Sequence, residues 1–251
     1  MLKYLFLIVL YSFTCFAFAE AQSKCLEFHV ISNAPIGYES EKGEAQGVHW
    51  EYLTALEKST GLCINKTLLP YARIWQSIEY GHHDGGIAFK SDARSNLVEY
   101  VALVRTVKIV VIPAKGVKIS NYSDLQNIVI GKTLGTHLSK KFDSDKNLNV
   151  IDLSNYDQAA RMLKHGRIDA IAGSALVLSY QLEKYDVLGE VDVENTLVLG
   201  EKEQWLQLSK ASKHAGEMLV LKEGVEKLQK NGTFDLIMDK YYGQEWKQIN
   251  K

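Results

Sequence analysis

LEFHVIS (26–32), INKTLL (64–69), GGIAF (85–89), TVKIVVI (106–112), IVIG (128–131), NVIDL (149–153) and DAIAG (169–173) are apolar runs of strand length. Helical periodicity fills gaps between them. Over 48–60 the residues Val48, Tyr52, Leu56 and Ser59 mark one face, and Gly61 ends it. A second helix is expected over 71–80, stopped by Gly81. Towards the C-terminus Met218, Leu221, Val225 and Leu228 form a stripe, Asn231-Gly232 breaks it, and a last helix carries Phe234, Ile237 and Tyr241. A chain that alternates in this way folds as an α/β protein with largely parallel sheets.

The N-terminus reads MLKYLFLIVLYSFTCFAFAEAQ: a positive Lys3, an uncharged apolar stretch from Leu5 to Phe18, then Ala17-Phe18-Ala19. That is the pattern of a secretory signal, residues 1–19, with cleavage expected after Ala19 or, alternatively, Ala21. Ser12-Phe13-Thr14 before Cys15 lacks the Leu and small residues of a lipoprotein signal. The expectation is therefore an exported protein. Formal charge is −1 and the Lys and Arg residues are dispersed, so no nucleic-acid footprint is expected.

Two cysteines remain beyond the signal, Cys25 and Cys63, and in an oxidising compartment such a pair forms a disulfide. Each stands just before an apolar run. If the two runs are neighbouring parallel strands, both thiols lie at the same end of the sheet, and closing that loop stabilises the fold by about 4 kcal/mol. One internal correspondence stands out. SIEYGHHDGGIAF (77–89) and MLKHGRIDAIAGS (162–174) share helix end, Gly, two residues, Asp, a small residue and a buried strand. The spacing of Gly81 to Asp84 equals that of Gly166 to Asp169, which suggests two similarly built lobes.

Taken in order, APIGY (34–38), GVHWEYL, GHHDGGIAFKSDAR, LVEYVALV, GKTLGTHLSKKF, HGRIDAIAGS, QWLQLSKAS and LQKNGTFDLIMDKYYG resemble the bacterial extracellular solute-binding proteins of the polar amino-acid type, family 3. No single match is specific; the order and spacing are. The resemblance implies a two-lobed type 2 periplasmic-binding-protein fold, each lobe a mostly parallel sheet flanked by helices. Lobe 1 would comprise 25–109 plus 206–251, lobe 2 would comprise 112–204, and two crossing strands near 109–113 and 204–208 would form the hinge. It also implies a periplasmic monomer that holds a small-molecule ligand between its lobes and hands it to the membrane permease of an ABC importer.

The same resemblance makes Arg94 the lobe 1 residue that grips a ligand carboxylate, with Ser91 in its Ser-x-x-Arg pattern. A guanidinium fork matches a carboxylate and keeps its charge when desolvated. Gly135 and Thr136 stand where a helix is expected to begin after IVIG, so its free N–H groups would meet the same anion from the other lobe. Two positions depart from the family. Gly173 or Ser174 occupies the place of the acid that accepts a ligand ammonium, and Phe89 replaces a polar residue five before the arginine. An unpaired ammonium in a dry cleft is costly, so an organic anion, with Phe89 and Tyr38 as aromatic walls, fits better than a free α-amino acid. Trp50 is expected in the core and Arg73 in solvent.

His82 and His83 adjoin in a turn and point apart, so no metal site is expected with His29 or His49. No nucleophile elbow, HExxH pair or phosphate loop occurs; neither cofactor nor catalysis is expected. Two alternatives stay open: a dehydratase-like enzyme on the same fold, with Glu39, Glu41 or His137 as acid or base, and the ligand-binding input of a separate membrane sensor.

Overall fold

A computed structural model describes residues 25–244 and 246–249; the expected signal peptide, 1–19, lies outside them. In chain order the elements are β1 (Leu26–Ile31), β2 (Tyr38–Glu39), β3 (Ala45–Gln46), α1 (Val48–Thr60), β4 (Ile64–Leu69), α2 (Tyr71–Glu79), β5 (Gly85–Phe89) and the long β6 (Val98–Pro113). Then come β7 (Val129–Thr133), α3 (Lys140–Ser144), β8 (Asn149–Leu153), α4 (Tyr156–Lys164), β9 (Ala170–Ser174), α5 (Ala175–Lys184) and the long β10 (Leu197–Ser209). The chain closes with α6 (Met218–Lys230), α7 (Thr233–Tyr242) and α8 (Trp246–Ile249).

The main sheet runs β4-β1-β5-β10-β6-β9-β7-β8. On one side β1 pairs in parallel with β4 and β5; on the other β7 pairs in parallel with β8 and β9. Between them β10 and β6 run antiparallel to each other, from Val98 opposite Ser209 to Val111 opposite Leu197. These are the two crossing strands, and they are longer than the hinge segments expected from sequence. The second part of β6, Ile109 to Pro113, pairs with β9, while Gln204 to Leu208 of β10 pairs with β5. Each crossing strand thus belongs to both halves. Over Ile109–Pro113 β6 is buried on two faces and reads as an unbroken apolar run: Ile109 and Val111 join one core cluster, Val110 and Ile112 the other.

The repeated Gly-x-x-Asp turn has one job in both halves. Gly81 and Gly166 leave their helices with φ of 70° and 61°, a left-handed turn that a side chain would resist. Asp84 then accepts from Glu27 N at 2.8 Å, and Asp169 from Val129 N at 2.7 Å. Each carboxylate clips the start of the neighbouring strand, setting the register of β1 with β5 and of β7 with β9. The cysteines do what their positions require. Leu26 lies opposite Ile64 in the β1–β4 ladder, and Cys25 and Cys63 are bonded with Cα atoms 4.7 Å apart.

Candidate functional site

The carboxyl ends of β1, β5, β7, β8 and β9 all point at the seam between the two halves, where open α/β sheets bind ligands. A cavity of about 230 Å³ lies there. The first half supplies Ser32 and Asn33 after β1, Pro70 to Ala72 at the start of α2, and Phe89 at the end of β5. The second half supplies Thr133 and Thr136 to Leu138 after β7, Ser154 to Tyr156 at the start of α4, and Gly173 and Ser174 before α5. Ile109 and Gln204 come from the crossing strands. Three helices, α2, α4 and α5, therefore begin at the wall, each bringing unpaired N–H groups and partial positive charge. No Asp or Glu lines the cavity among the described residues.

The halves touch directly around it. Ile36, from the loop after β1, packs into the core cluster of the second half. Gln181 of α5 donates to Ala34 O and Tyr38 bonds Tyr180, while Lys202 of the crossing strand β10 donates to His137 O at 2.8 Å beside them. Tyr156 is buried and hydrogen-bonded to Thr133 of its own half and Asn33 of the other; burial pushes its pKa up, so it stays a neutral bridge.

The residues singled out from sequence divide into three groups. Phe89, Thr136 and Ser174 line the cavity. Ser174 caps α5 without a side-chain cap bond, and Lys202 lies 5.2 Å over the Phe89 ring. Arg94 and Ser91 are instead at the mouth, in a wider cleft that also holds Lys202 and His137. The Arg94 guanidinium lies 3.9 Å from the Trp75 ring centre and donates at 3.1 Å to the hydroxyl of Tyr71, itself a residue of the cavity wall. Ser91 is pinned by Tyr100, whose hydroxyl accepts from its N–H and donates to its carbonyl. Tyr38 lines a smaller neighbouring hollow. Gly135, with φ of 78°, faces Tyr71 and Ala72 across the seam.

One local expectation is corrected: no helix begins at Thr136. Its hydroxyl donates to Thr133 O at 2.6 Å and closes a turn. Ser139 takes the cap, accepting from Phe142 N, and α3 starts at Lys140. Trp50 packs against the core with Lys66 beside its ring, and Arg73 is exposed. The sequence reading missed Asn33, Asn155, Tyr156 and Gln204. A signal for Asn155 and Tyr156 exists: Asn155 with Gln158 three residues on is a helix start shortly after NVIDL, which places it at a strand's carboxyl end.

Comparison with known proteins gives the fold a context. The chain is 22% identical over 246 residues to a "Probable histidine-binding protein" of Neisseria gonorrhoeae, covering 94% of this chain and 90% of that protein. The "Crystal structure of the substrate binding protein of an amino acid ABC transporter" superposes with a TM-score of 0.70 at 20% identity, over 88% of this chain and 99% of the other. The "Crystal Structure of a Histidine Kinase Sensor Domain with Similarity to Periplasmic Binding Proteins" gives 0.73 at 13% identity, over 88% and 96%. Residues 29–244 match the family described as bacterial extracellular solute-binding proteins, family 3, and the chain belongs to that family.

Proposed function

We propose that this protein is exported through its N-terminal signal, captures a small carboxylate-bearing solute between a lobe of residues 25–109 plus 206–251 and a lobe of residues 112–204, and presents it to an ABC-type importer. One observation carries the reading: the cavity at the seam collects three helix N-termini and no carboxylate among its described lining residues. Such a wall favours an anion. Phe89, Thr136 and Ser174 contact the solute inside. Arg94, Ser91, Gly135 and Tyr38 complete the site from its rim, and Arg94 reaches the solute when Tyr71 swings aside. A ligand selects the closed arrangement only by touching both lobes, since only differential affinity shifts the equilibrium.

Arg94→Ala is expected to abolish the rise in melting temperature on adding the solute while the ligand-free melting point stays near that of the parent. An undiminished ligand shift would remove Arg94 from the site. A second reading, sensor input rather than transport, draws on the likeness to a kinase sensor domain. Deleting the gene separates the two: lost uptake of labelled solute marks transport, and a lost transcriptional response with intact uptake marks sensing. An enzymatic role has less behind it. Glu39 and Glu41 are exposed, and of the three acid–base candidates His137 alone lines the cavity. Stoichiometric binding without turnover of a prephenate-like compound is the expected result.

A further inference from the structure

We infer that Gln204, locked in one orientation by Arg105, is the hydrogen-bond donor on the cavity floor, and that the site takes carboxylates that lack an ammonium group. This rests on the cavity being the solute site, as proposed above.

Phe89, Gln204 and Arg105 lie opposite one another on three adjacent strands, β5, β10 and β6, so their side chains share one face. Phe89 and Gln204 line the cavity, and Gln204 is only 5% exposed. Behind them the Arg105 guanidinium has neutral partners. Its Nε donates to Gln204 Oε1 at 2.5 Å, its Nη2 meets His49 Nε2 at 3.1 Å, and its Nη1 meets Met238 Sδ. Burial, and then the charge of Arg105, hold the His49 pKa well below 6.5, so that ring is neutral. Among the described residues no carboxylate forms an ion pair with Arg105.

Two consequences follow from elementary chemistry. A guanidinium offers only donors, so the Gln204 amide must turn its oxygen to Arg105 and its NH₂ group the other way. The floor is thereby a donor, not the two-way amide it would be in isolation. The unneutralised charge behind it also sets a positive potential at the cavity, where low dielectric weakens screening. A ligand carboxylate or carbonyl oxygen finds a donor there. A ligand ammonium finds that field and no acidic side chain among the described lining residues.

The test uses matched pairs differing only in the 2-amino group, titrated by calorimetry against the mature protein: 3-phenylpropionate with L-phenylalanine, 4-methylpentanoate with L-leucine, and 3-(imidazol-4-yl)propionate with L-histidine. In at least one pair the deamino member is expected to bind tenfold or more tightly than its partner. Gln204→Leu should weaken that binding at least tenfold, and Gln204→Glu, which pairs its carboxylate with Arg105, should shift preference towards the amino acid. Should Gln204→Leu not fold, Gln204→Met is read in its place. Amino acids that bind as tightly as their deamino partners, or an affinity untouched by the substitution, overturn the inference and leave carboxylate capture standing. Binding by none of the six overturns both.

Discussion

The turn at Gly81–Asp84 and the turn at Gly166–Asp169 are mechanical twins set in unlike surroundings. Both aspartates clip a neighbouring strand through the same pair of bonds, Asp84 with Glu27 and Asp169 with Val129. Counting outward from these clips aligns the two halves residue by residue. His29 then matches Gly131, and its ladder partner Gly86 matches Ile171. Each half places one bulky side chain and one glycine in that pair, but on opposite strands. A Cβ on Gly86 would stand 2.5 Å from His29 O, and one on Gly131 would stand 2.8 Å from both Ile168 and Leu153. The backbone plan is shared, while the core volume is distributed in two different ways. Duplicated architecture therefore fixes where strands go without fixing which residue fills a given layer.

The largest expected effect comes from forcing one half to use the residue of the other. Gly85 follows Asp84 where Ala170 follows Asp169. A Cβ on Gly85 would meet Gln207 O at 2.0 Å, because β10 packs there, and backbone cannot yield as a side-chain tip can. Gly85→Ala should lower Tm by about 10 °C or more, or prevent folding; Ala170→Gly, the reverse exchange, should cost about 1 kcal/mol. Equal effects in thermal denaturation would show that the two environments are not distinct.

Next in size is the staple, which the first half alone carries. The positions matching Cys25 and Cys63 are Asn127 and Asn147. Replacing both cysteines by serine should remove about 4 kcal/mol for a loop of separation 38, measured by urea unfolding. The clips themselves come third. Asp84 also accepts from Ser212 Oγ at 2.7 Å, a bond for which Asp169 has no counterpart among the described hydrogen bonds. Asp84→Ala should cost about 3 kcal/mol and Asp169→Ala about 2 kcal/mol. An inverted order in the same assay would mean that the Ser212 bond adds nothing.

Last comes an effect absent at neutral pH, a gradient that opens below pH 6.5. Burial drives His29 from the ordinary 6.5 down to about 3, with His83 adding to the shift, and His49 is likewise held well below 6.5. Between those values the unfolded chain takes up protons that the folded chain refuses. Stability is therefore unaffected above pH 6.5 and falls as pH drops below it, with a limiting slope of about 1.4 kcal/mol per unit for each ring that stays neutral. Both rings lie in the first half, and among the described residues the second half buries no histidine. Hydrogen exchange at pH 4.5 should show amides of β1 and β5 losing protection before those of β7 and β9. Simultaneous loss would show that the halves unfold as one unit.

Much of this fold was legible in sequence because its causes are local. Period-two and period-3.6 patterns, glycines at helix ends, and two cysteines at the heads of strands are properties of short segments; the strands and the disulfide follow from them. The repeat was legible too, since Gly-x-x-Asp needs only four residues. The site was only partly so. Phe89, Thr136 and Ser174 line the cavity because they stand at or just beyond strand ends, where sequence could place them. Thr136 nonetheless loses its helix start, because its hydroxyl closes a turn on Thr133 and Ser139 caps α3 instead.

What the sequence alone determined, then, is the α/β order, the parallel pairing around each Gly-x-x-Asp turn and the staple beside it. Tertiary structure decided the rest. Arg94 is held to Tyr71 of the cavity wall by a bond across 23 positions and does not itself line the cavity. Gln204 offers a donor to the cavity because Arg105, 99 positions away in the chain, occupies its oxygen. Hydrogen bonds of that reach depend on which elements the folded chain brings side by side. An amide has no preferred end until a partner takes one.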